Sequence, residues 1–505
     1  MVNILDLPQE LLDDIVLRLL PDLFPFLLTC RTVYIRCKPI IKRHNEYARK
    51  WKQPGYHENT KYAFWLYLLH EIALDPVVGE YVQELRYTYW PHHYTTGKVI
   101  LEDIKSQEAI TTVQEMVMRC PFIGESKILS EEWWNEILLE ITSRRNASIP
   151  PVCTLCTVLL YLPNLRELEL PDWWNLDYWH LEPPQPVGIR AGPRLSSELL
   201  KTMAILARDP TSSKLTPKPR TWPLAKLETL MPFSANRRLD PSLQCSEPFL
   251  VFPGLHNFLS ETINVGSFTW TSSNKNIGIS LRRLEILGGA YSTRGINSFL
   301  ENAPHLEVFK FNINRLYGER WDPNAIVVSI AERVGSTLKE LSIRTEHTNP
   351  SFRSAVESFL AFEKLEELEI DVSFLIGGAL NKSFYYCLAY ILPPSIRKIL
   401  LNLEEQEFST IQNILYDLKL GSKPGSKHPL LEKVVVRTEE GDASQNSKLE
   451  VAKKKVKMDG IIWKSLSRRR YSTMGWKREL GRRFGAADAK LNSRMEGAME
   501  IEDSE

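Results

Sequence analysis

The sequence predicts an α/β fold in three parts: a short N-terminal helical module, an irregular solenoid with parallel strands inside and helices outside, and a disordered C-terminal tail. Three observations lead to this prediction. An amphipathic helical pattern opens the chain, a Leu-x-x-Leu-x-Leu spacing recurs through its middle, and the apolar periodicity fades after about residue 440. The predicted boundaries are 1–45 for the module, 46–80 for a helical linker, 81–438 for the solenoid with an insertion at 171–223, and 439–505 for the tail.

The first helix is predicted from its start signals and from its apolar spacing. Asp6 and Gln9 form a capping-box pattern, and Pro8 needs no hydrogen-bond donor so early in a helix. Apolar side chains then recur at three- and four-residue intervals on one face, at Leu11, Leu12, Ile15, Val16, Leu19 and Leu20. That face must be buried, either against a partner or as a cap over the rest of the fold.

The solenoid is predicted from a repeated strand pattern whose apolar anchors face a shared core. Successive first anchors from Leu281 to Leu431 lie 25 to 35 residues apart. The predicted strands are anchored at Val82, Leu85 and Tyr87; Leu165, Leu168 and Leu170; Leu227 and Leu230; Leu255 and Phe258; Leu281, Leu284 and Ile286; Leu306, Phe309 and Phe311; Leu338, Leu341 and Ile343; Leu365, Leu368 and Ile370; Ile396, Ile399 and Leu401; and Leu431, Val434 and Val436.

Helix-like segments separate these strands. They are predicted at 106–119, 132–144, 195–208, 292–302, 324–335, 352–362, 383–392 and 406–420. Alternating strands and helices at this period resemble leucine-rich repeats, although most of these repeats are longer than that family's usual unit. An ordinary α/β domain with a parallel sheet is the alternative.

The N-terminal residues resemble the F-box in its fungal style. Leu7-Pro8, Glu10-Leu11-Leu12, Ile15, Leu19 and the Pro21-Asp22-Leu23 turn match the positions of that motif, while Pro25 and the lack of a Trp near residue 40 depart from it. The resemblance implies binding to the Skp-type adaptor of a cullin ubiquitin ligase. The implied adaptor-binding residues are Leu7, Pro8, Leu11, Leu12, Ile15, Leu19, Leu23, Leu27 and Leu28.

Side chains between the anchors of a strand point away from the core, because side chains alternate along a strand. These positions are the candidate contacts for a target protein, and their charges are mixed. They are Glu169, Arg283, Glu285, Lys310, Ser342, Glu367, Glu369, Lys398 and Lys433.

Two segments outside the repeats have open interpretations. Trp173, Trp174, Tyr178 and Trp179 in the insertion either bind a partner or form a local core. Residues 441–490 hold 14 Lys or Arg against 5 Asp or Glu, and residues 491–505 hold 1 against 5. Such a tail is typically solvated and disordered, although its basic clusters would also suit a nuclear address or nucleic acid.

Composition argues against several classes of function. The net charge of +1 gives no general attraction to nucleic acid or anionic membranes, so nucleic acid is an unlikely partner. No leader or membrane-spanning run is recognised, and seven dispersed cysteines suit reduced thiols, which together predict an intracellular protein of the cytoplasm, the nucleus or both.

Catalytic and metal-binding motifs are not found in the sequence. Cys153 and Cys156 form a C-x-x-C pair, but no second ligand pair follows at zinc-site spacing. We therefore expect no enzyme, no cofactor and no metal. The F-box resemblance implies a substrate receptor of a ubiquitin ligase that binds an adaptor, through it a cullin, and an unidentified target. A repeat scaffold without any ligase role is the alternative.

Overall fold

The computed structural model describes residues 7–8, 11–12, 15–16, 19, 26, 31–56, 61–87, 107–142, 151–171, 174, 192–215, 222–232, 242–260, 263, 265–266, 268–271, 277–286, 292–313, 322–345, 354–376, 387–404, 407–421, 423, 425–439, 443–456 and 460–466. It divides into two compact units. The N-terminal unit comprises residues 1–259 and 270–281, and the C-terminal unit comprises residues 260–269 and 282–505. Both are α/β.

In the described residues of the N-terminal unit, the helices precede or separate five parallel strands. Its helices are α1 (Arg31–Arg36), α2 (Lys38–Trp51), α3 (Lys61–Leu74), α4 (Val77–Tyr81), α5 (Gln107–Met118), α6 (Pro121–Glu125), α7 (Ser130–Thr142), α8 (Val152–Leu160), α9 (Gly192–Arg208) and α10 (Glu247–Leu250). Its strands are β1 (Gly55–Tyr56), β2 (Glu84–Tyr87), β3 (Glu167–Leu170), β4 (Thr229–Pro232) and β5 (Asn257–Ser260), which pair in chain order.

The C-terminal unit has seven parallel strands, again paired in chain order. They are β6 (Arg283–Ile286), β7 (Val308–Ile313), β8 (Glu340–Thr345), β9 (Glu367–Asp371), β10 (Lys398–Leu403), β11 (Lys433–Glu439) and β12 (Ile461–Leu466). The helices are α11 (Thr293–Leu300), α12 (Pro323–Val334), α13 (Val372–Ile376), α14 (Leu388–Ile391), α15 (Ile411–Ile414) and α16 (Ala443–Lys455).

The strand register confirms the predicted anchors. Each of the ten predicted strands is present, and the central anchors align across neighbouring strands. In the C-terminal unit the aligned and buried row is Leu284, Phe309, Leu341, Leu368, Ile399 and Val434. The apolar residues of this spacing therefore form one continuous layer of the core.

Consecutive repeats are joined by the same backbone contact just before each strand. The Arg282 carbonyl accepts hydrogen bonds from the amides of Glu307 and Val308 at 2.7 and 2.9 Å. The Glu307 carbonyl does the same for Lys339 and Glu340, at 2.7 and 3.0 Å. The carbonyls of Gln83, Arg166, Glu228, Lys339, Glu366 and Arg397 each accept two amides in this way.

The side chains at these junctions form charge ladders, in which opposite charges alternate from repeat to repeat. In the C-terminal unit Glu307 lies between Arg282 at 2.6 Å and Lys339 at 2.8 Å, and Arg397 lies between Glu366 at 3.6 Å and Glu432 at 3.0 Å. In the N-terminal unit, Arg166 pairs with Glu228 at 3.7 Å. Each pair is partly exposed, so its contribution to stability is small.

A half-buried glutamate caps one helix of the N-terminal unit. Glu140 of α7 accepts hydrogen bonds from the amides of Cys153 and Thr154 and from the Thr154 hydroxyl, at 2.7 to 2.9 Å, at the first turn of α8. Burial raises the pKa of Glu140 to about 7, because desolvation outweighs the three donors. All nine residues of α8 are buried, Cys153 and Cys156 among them.

Five of the eight predicted helices match α5, α7, α9, α11 and α12 closely. The segments 383–392 and 406–420 contain only the short helices α14 and α15. The helix predicted at 352–362 is wrong, since described residues 354–362 are not helical. Two backbone amides there donate to other segments, Val356 to the Phe374 carbonyl and Phe359 to the Ile391 carbonyl, both at 2.8 Å. Tertiary hydrogen bonds thus replace the helical ones.

Two predicted boundaries also need correction. Helix α2 crosses residue 45 and ends at Trp51, and β1 lies within the predicted helical linker. The predicted insertion 171–223 contains α9, which matches the helix predicted at 195–208. Trp174 is fully buried, where its indole N–H donates to the Cys245 carbonyl at 3.0 Å, so it belongs to a local core. Trp173, Tyr178 and Trp179 lie outside the described residues.

The predicted disordered tail begins too early. Residues 443–455 form α16, and residues 461–466 form β12, which pairs with β11 along its whole length. Ile461 and Trp463 take the register positions beside Val434 and Val436, so this segment is one more repeat. Residues 467–505 lie outside the described residues. Among the described helices, none is both long and apolar enough to cross a bilayer.

Candidate interaction surfaces

The N-terminal helical residues form a small core within their own module. Leu12 and Val16 are fully buried with Val33, Cys37 and Ile41, and Phe26 and Ile40 pack against this cluster. The Leu12 amide donates to the Pro8 carbonyl at 3.1 Å, and the Arg36 guanidinium donates to the Leu7 carbonyl at 2.8 Å. These contacts fix the start of the first helix on α1.

An adjacent side of this first helix is partly exposed. Pro8 is exposed and Leu11 is 53% exposed, while Leu7, Ile15 and Leu19 are half-buried. We call these five residues the N-terminal surface. Leu12, a predicted adaptor contact, instead lies in the module core. The apolar stripe is wide, so that Leu12 and Val16 pack inside while Leu11 remains exposed. Leu23, Leu27 and Leu28 lie outside the described residues.

The predicted target-binding residues of the C-terminal unit share one side of the sheet. We call this side the polar strand face. In its central row Glu285, Lys310, Ser342 and Glu369 align across β6 to β9. A neighbouring row contains Arg283, Glu340, Glu367, Lys398 and Lys433. Eight of these nine residues, all except Glu340, were predicted contacts, and strand alternation brings them together as expected, whereas Glu169 lies in the N-terminal unit.

Most charges on the polar strand face are already paired. Glu285 is fully buried, contacts the Arg283 guanidinium and lies 3.9 Å from the Lys310 ammonium. Lys310 also contacts Glu340 at 3.1 Å. Lys398 contacts Glu367 at 2.6 Å. Lys433 is exposed. Of the predicted contacts, Glu285 is thus a buried partner for its neighbours and not an exposed group.

Glu369 is the centre of the densest part of this network. Its carboxylate accepts from Arg437 at 2.6 Å and from the Ser342 hydroxyl at 3.1 Å, and it lies 3.9 Å from Arg344. Burial alone would raise the pKa of Glu369, but Arg344 and Arg437 outweigh burial and lower it. Glu369 therefore stays ionised at neutral pH and holds the ends of β8 and β11 together electrostatically.

Three polar residues beside this network were not among the predicted sites. Asp371, Asn402 and Glu407 are each more than nine-tenths buried. Burial raises the pKa of Asp371 to about 6, although Arg344 and the Thr345 amide oppose this, and burial raises the pKa of Glu407 well above its ordinary value. Among the described residues, the Glu407 Oε1 atom has no hydrogen-bond partner. Register places Asn402 beside Asp371, which the spacing of anchors alone did not reveal.

The strand face of the N-terminal unit is less charged. Glu169 is half-buried beside Met231, and Glu167 lies beside Thr229. Asn257 donates to the Thr229 hydroxyl at 3.2 Å, a neutral hydrogen bond. Within the described parts of both units, no group of three or more His, Cys, Asp or Glu side chains is arranged to hold a metal ion.

No protein-family model matches the chain, and no curated protein sequence is significantly similar to it.

Proposed function

We propose that this protein is a non-catalytic substrate receptor of a Skp-cullin-F-box ubiquitin ligase. The N-terminal surface binds the adaptor, and strand-face residues of the repeats bind a target protein. Binding both at once raises the effective concentration of target lysines near the ubiquitin-charged enzyme. The chemistry belongs to the partner subunits, so the chain needs no cofactor of its own.

One observation carries the proposal. Leu12 and Val16 complete a core with Val33, Cys37 and Ile41, all within the module, while Leu11 remains 53% exposed next to them. A helix that served only as a cap over the repeats has no need of exposed residues at Pro8 and Leu11. An exposed apolar surface beside an independently packed core is typical of a docking element.

The first test is copurification of a Leu11→Glu variant with a Skp-type adaptor. Burying an aliphatic side chain contributes about 1.5 to 3 kcal/mol, so losing it from an interface and adding a charge should weaken binding at least about tenfold. We expect the wild-type chain to retain the adaptor and the variant to lose it. Ile15→Glu should have the same effect, because Ile15 is half-buried on the same surface.

The matched control is Val16→Glu, which places the same charge in the module core. It should unfold the module, and circular dichroism and protease sensitivity will show this, whereas Leu11→Glu should keep the wild-type melting temperature. Equal adaptor recovery by wild type and Leu11→Glu contradicts the proposal. If the wild-type chain captures other proteins but neither adaptor nor cullin, the repeat-scaffold alternative is favoured.

The proposed target surface is the polar strand face. Its residues lie on six parallel strands, β6 to β11, and strands hold side chains more accurately than loops do. Most of its charges are paired within the chain. A target must therefore either contact these ion pairs as they stand or replace one member of a pair with a charged group of its own. Cross-linking at exposed Lys433 and half-buried Lys398 should identify the target, and failure to cross-link any protein from these positions opposes this part of the proposal.

A further inference from the structure

Helix α2 carries two separate sets of basic residues. Residues 31–52 contain eight Lys or Arg residues and a single acidic residue, Glu46. Two of the eight hold α2 against α3 and the turn after it: Arg43 pairs with Asp75 at 2.7 Å, and Lys50 pairs with Glu71 at 3.2 Å. This first set is used within the fold.

The second set lines a groove. A cavity of about 390 Å³ lies along α2, bordered by Lys38, Ile41, Lys42, Asn45, Glu46 and Arg49. Lys38, Lys42 and Arg49 are exposed. Within the described part of the chain, none of these three side chains makes a hydrogen bond or an ion pair. The groove therefore offers three cations that the described part of the fold does not neutralise.

The groove also contains groups that restrict what can bind there. Ile41 is the apolar residue of the described lining; it is 8% exposed and otherwise packs in the module core, so it offers only its edge to a ligand. Glu46 places a carboxylate among the cations. A uniform polyanion, such as nucleic acid or an anionic membrane, would meet like charge at Glu46 and gain little from Ile41, and the net charge of +1 gives it no long-range attraction.

A peptide helix matches all of these features. Lys38 and Arg49 are eleven residues apart, which is about 16 Å or three helical turns. An amphipathic helix of that length can place carboxylates opposite Lys38, Lys42 and Arg49, an apolar side chain over Ile41, and a polar donor near Glu46. Helix-in-groove recognition of this kind is a common mode of peptide binding.

We propose that this groove binds an acidic amphipathic helix of a partner protein. The groove uses α2 and none of the residues of the N-terminal surface. The proposal does not depend on the identity of that partner or on the ligase role.

The test is fluorescence anisotropy of the full chain with a labelled helical peptide of about 15 residues, in which Glu residues face the three cations and Leu faces Ile41. An otherwise identical peptide with Gln for Glu is the first control. We expect the Glu peptide to bind at least about tenfold more tightly than the Gln peptide, and this preference should shrink as NaCl rises from about 50 to 300 mM. Equal binding of the two peptides overturns the proposal.

The second control compares two double variants with the same change of net charge. Lys38→Glu with Lys42→Glu alters the groove, whereas Arg31→Glu with Lys52→Glu alters exposed basic residues outside it. We expect about tenfold or greater loss of Glu-peptide binding only in the groove variant, with unchanged circular dichroism in both. Equal losses in the two variants, or tighter binding of a DNA duplex or anionic vesicle than of the Glu peptide, overturn the proposal.

Discussion

On the strand face of the N-terminal unit, Thr229, Met231 and Asn257 are uncharged and Asn257 makes a neutral hydrogen bond. The same face of the C-terminal unit carries an ion pair between each two neighbouring strands from β6 to β10. The spacing of strands differs too. The first residues of β2, β3 and β4 lie 83 and 62 residues apart, but those of β6 to β12 lie only 25 to 35 apart.

This difference indicates that the two units are stabilised in different ways. The long connections of the N-terminal unit form substantial helices, such as α5, α7 and α9, that bury apolar surface. The C-terminal unit has shorter helices between β9 and β11, and its regular strand register brings opposite charges side by side. Residues of the polar strand face therefore contribute to stability as well as to any binding, so changes there affect both.

The largest expected effect comes from removing the centre of the charge network. Glu369→Ala leaves Arg437, Arg344 and Ser342 without this half-buried acceptor, and we expect the free energy of unfolding to fall by about 1 to 3 kcal/mol. The matched change in the other unit, Asn257→Ala, removes one neutral hydrogen bond and should cost about 0.5 to 1.5 kcal/mol. Urea unfolding measures both, and an equal or larger loss in Asn257→Ala would break the comparison.

A second difference should appear in the dependence of stability on pH. Asp371 has a pKa of about 6 in the folded chain against an ordinary 3.8. The folded state therefore binds more protons than the unfolded state between those values, and this residue's contribution to stability falls as pH rises from about 4 to 6. Relative to Asp371→Asn, wild type should lose at most about 1.4 kcal/mol per pH unit in that window and nothing further above it.

The N-terminal unit also has a carboxyl group with a raised pKa, Glu140, which should titrate at a higher pH than Asp371. Glu140 has a pKa of about 7 against an ordinary 4.5, so its contribution to stability should continue to fall until about pH 7. Comparing wild type with Glu140→Gln at several pH values measures this window. If Asp371→Asn and Glu140→Gln alter the pH dependence of stability over the same pH range, the pKa values of the two carboxyl groups do not differ as expected.

The smallest expected effect is at the charge ladder. Glu307→Lys places three cations in a row with Arg282 and Lys339, but the site is partly exposed, so we expect a loss below about 1 kcal/mol that shrinks in high salt. Adding Lys339→Glu should restore one attractive pair. Thermal unfolding of the single and double variants checks this, and a loss that is insensitive to salt would contradict an electrostatic origin.

The strands could be predicted because the three apolar anchors of each repeat depend on one local property, the alternation of buried and exposed positions along the strand. The last repeat was missed because Met458 and Trp463 occupy anchor positions that hold Leu, Ile, Val or Phe in the six repeats from Leu281 to Val436. The helix predicted at 352–362 failed for another reason. Its apolar spacing suits a helix, but the amides of Val356 and Phe359 bind distant carbonyls, and a local pattern cannot show that competition.

The candidate surfaces were predictable only in part. Alternation correctly placed Arg283, Glu285 and Lys310 on one face, but whether a charge is free or paired depends on the residue beside it in the next strand. Glu407 illustrates this limit, because it follows β10 and lies in no strand pattern, yet it is buried near Asp371. Likewise, the amphipathic spacing around Leu11 and Leu12 could not tell which side of the helix the module's own core would take.

The doubled acceptor at each junction has an evolutionary consequence. Because the carbonyls of Arg282, Glu307, Lys339, Glu366 and Arg397 all form the same attachment with the following strand, a whole repeat can be duplicated or deleted without creating a new type of joint. Only the alternation of sign along the ladder would be interrupted, at a small energetic cost. Related chains can therefore gain or lose whole strands, and so enlarge or shorten the strand face, in single steps.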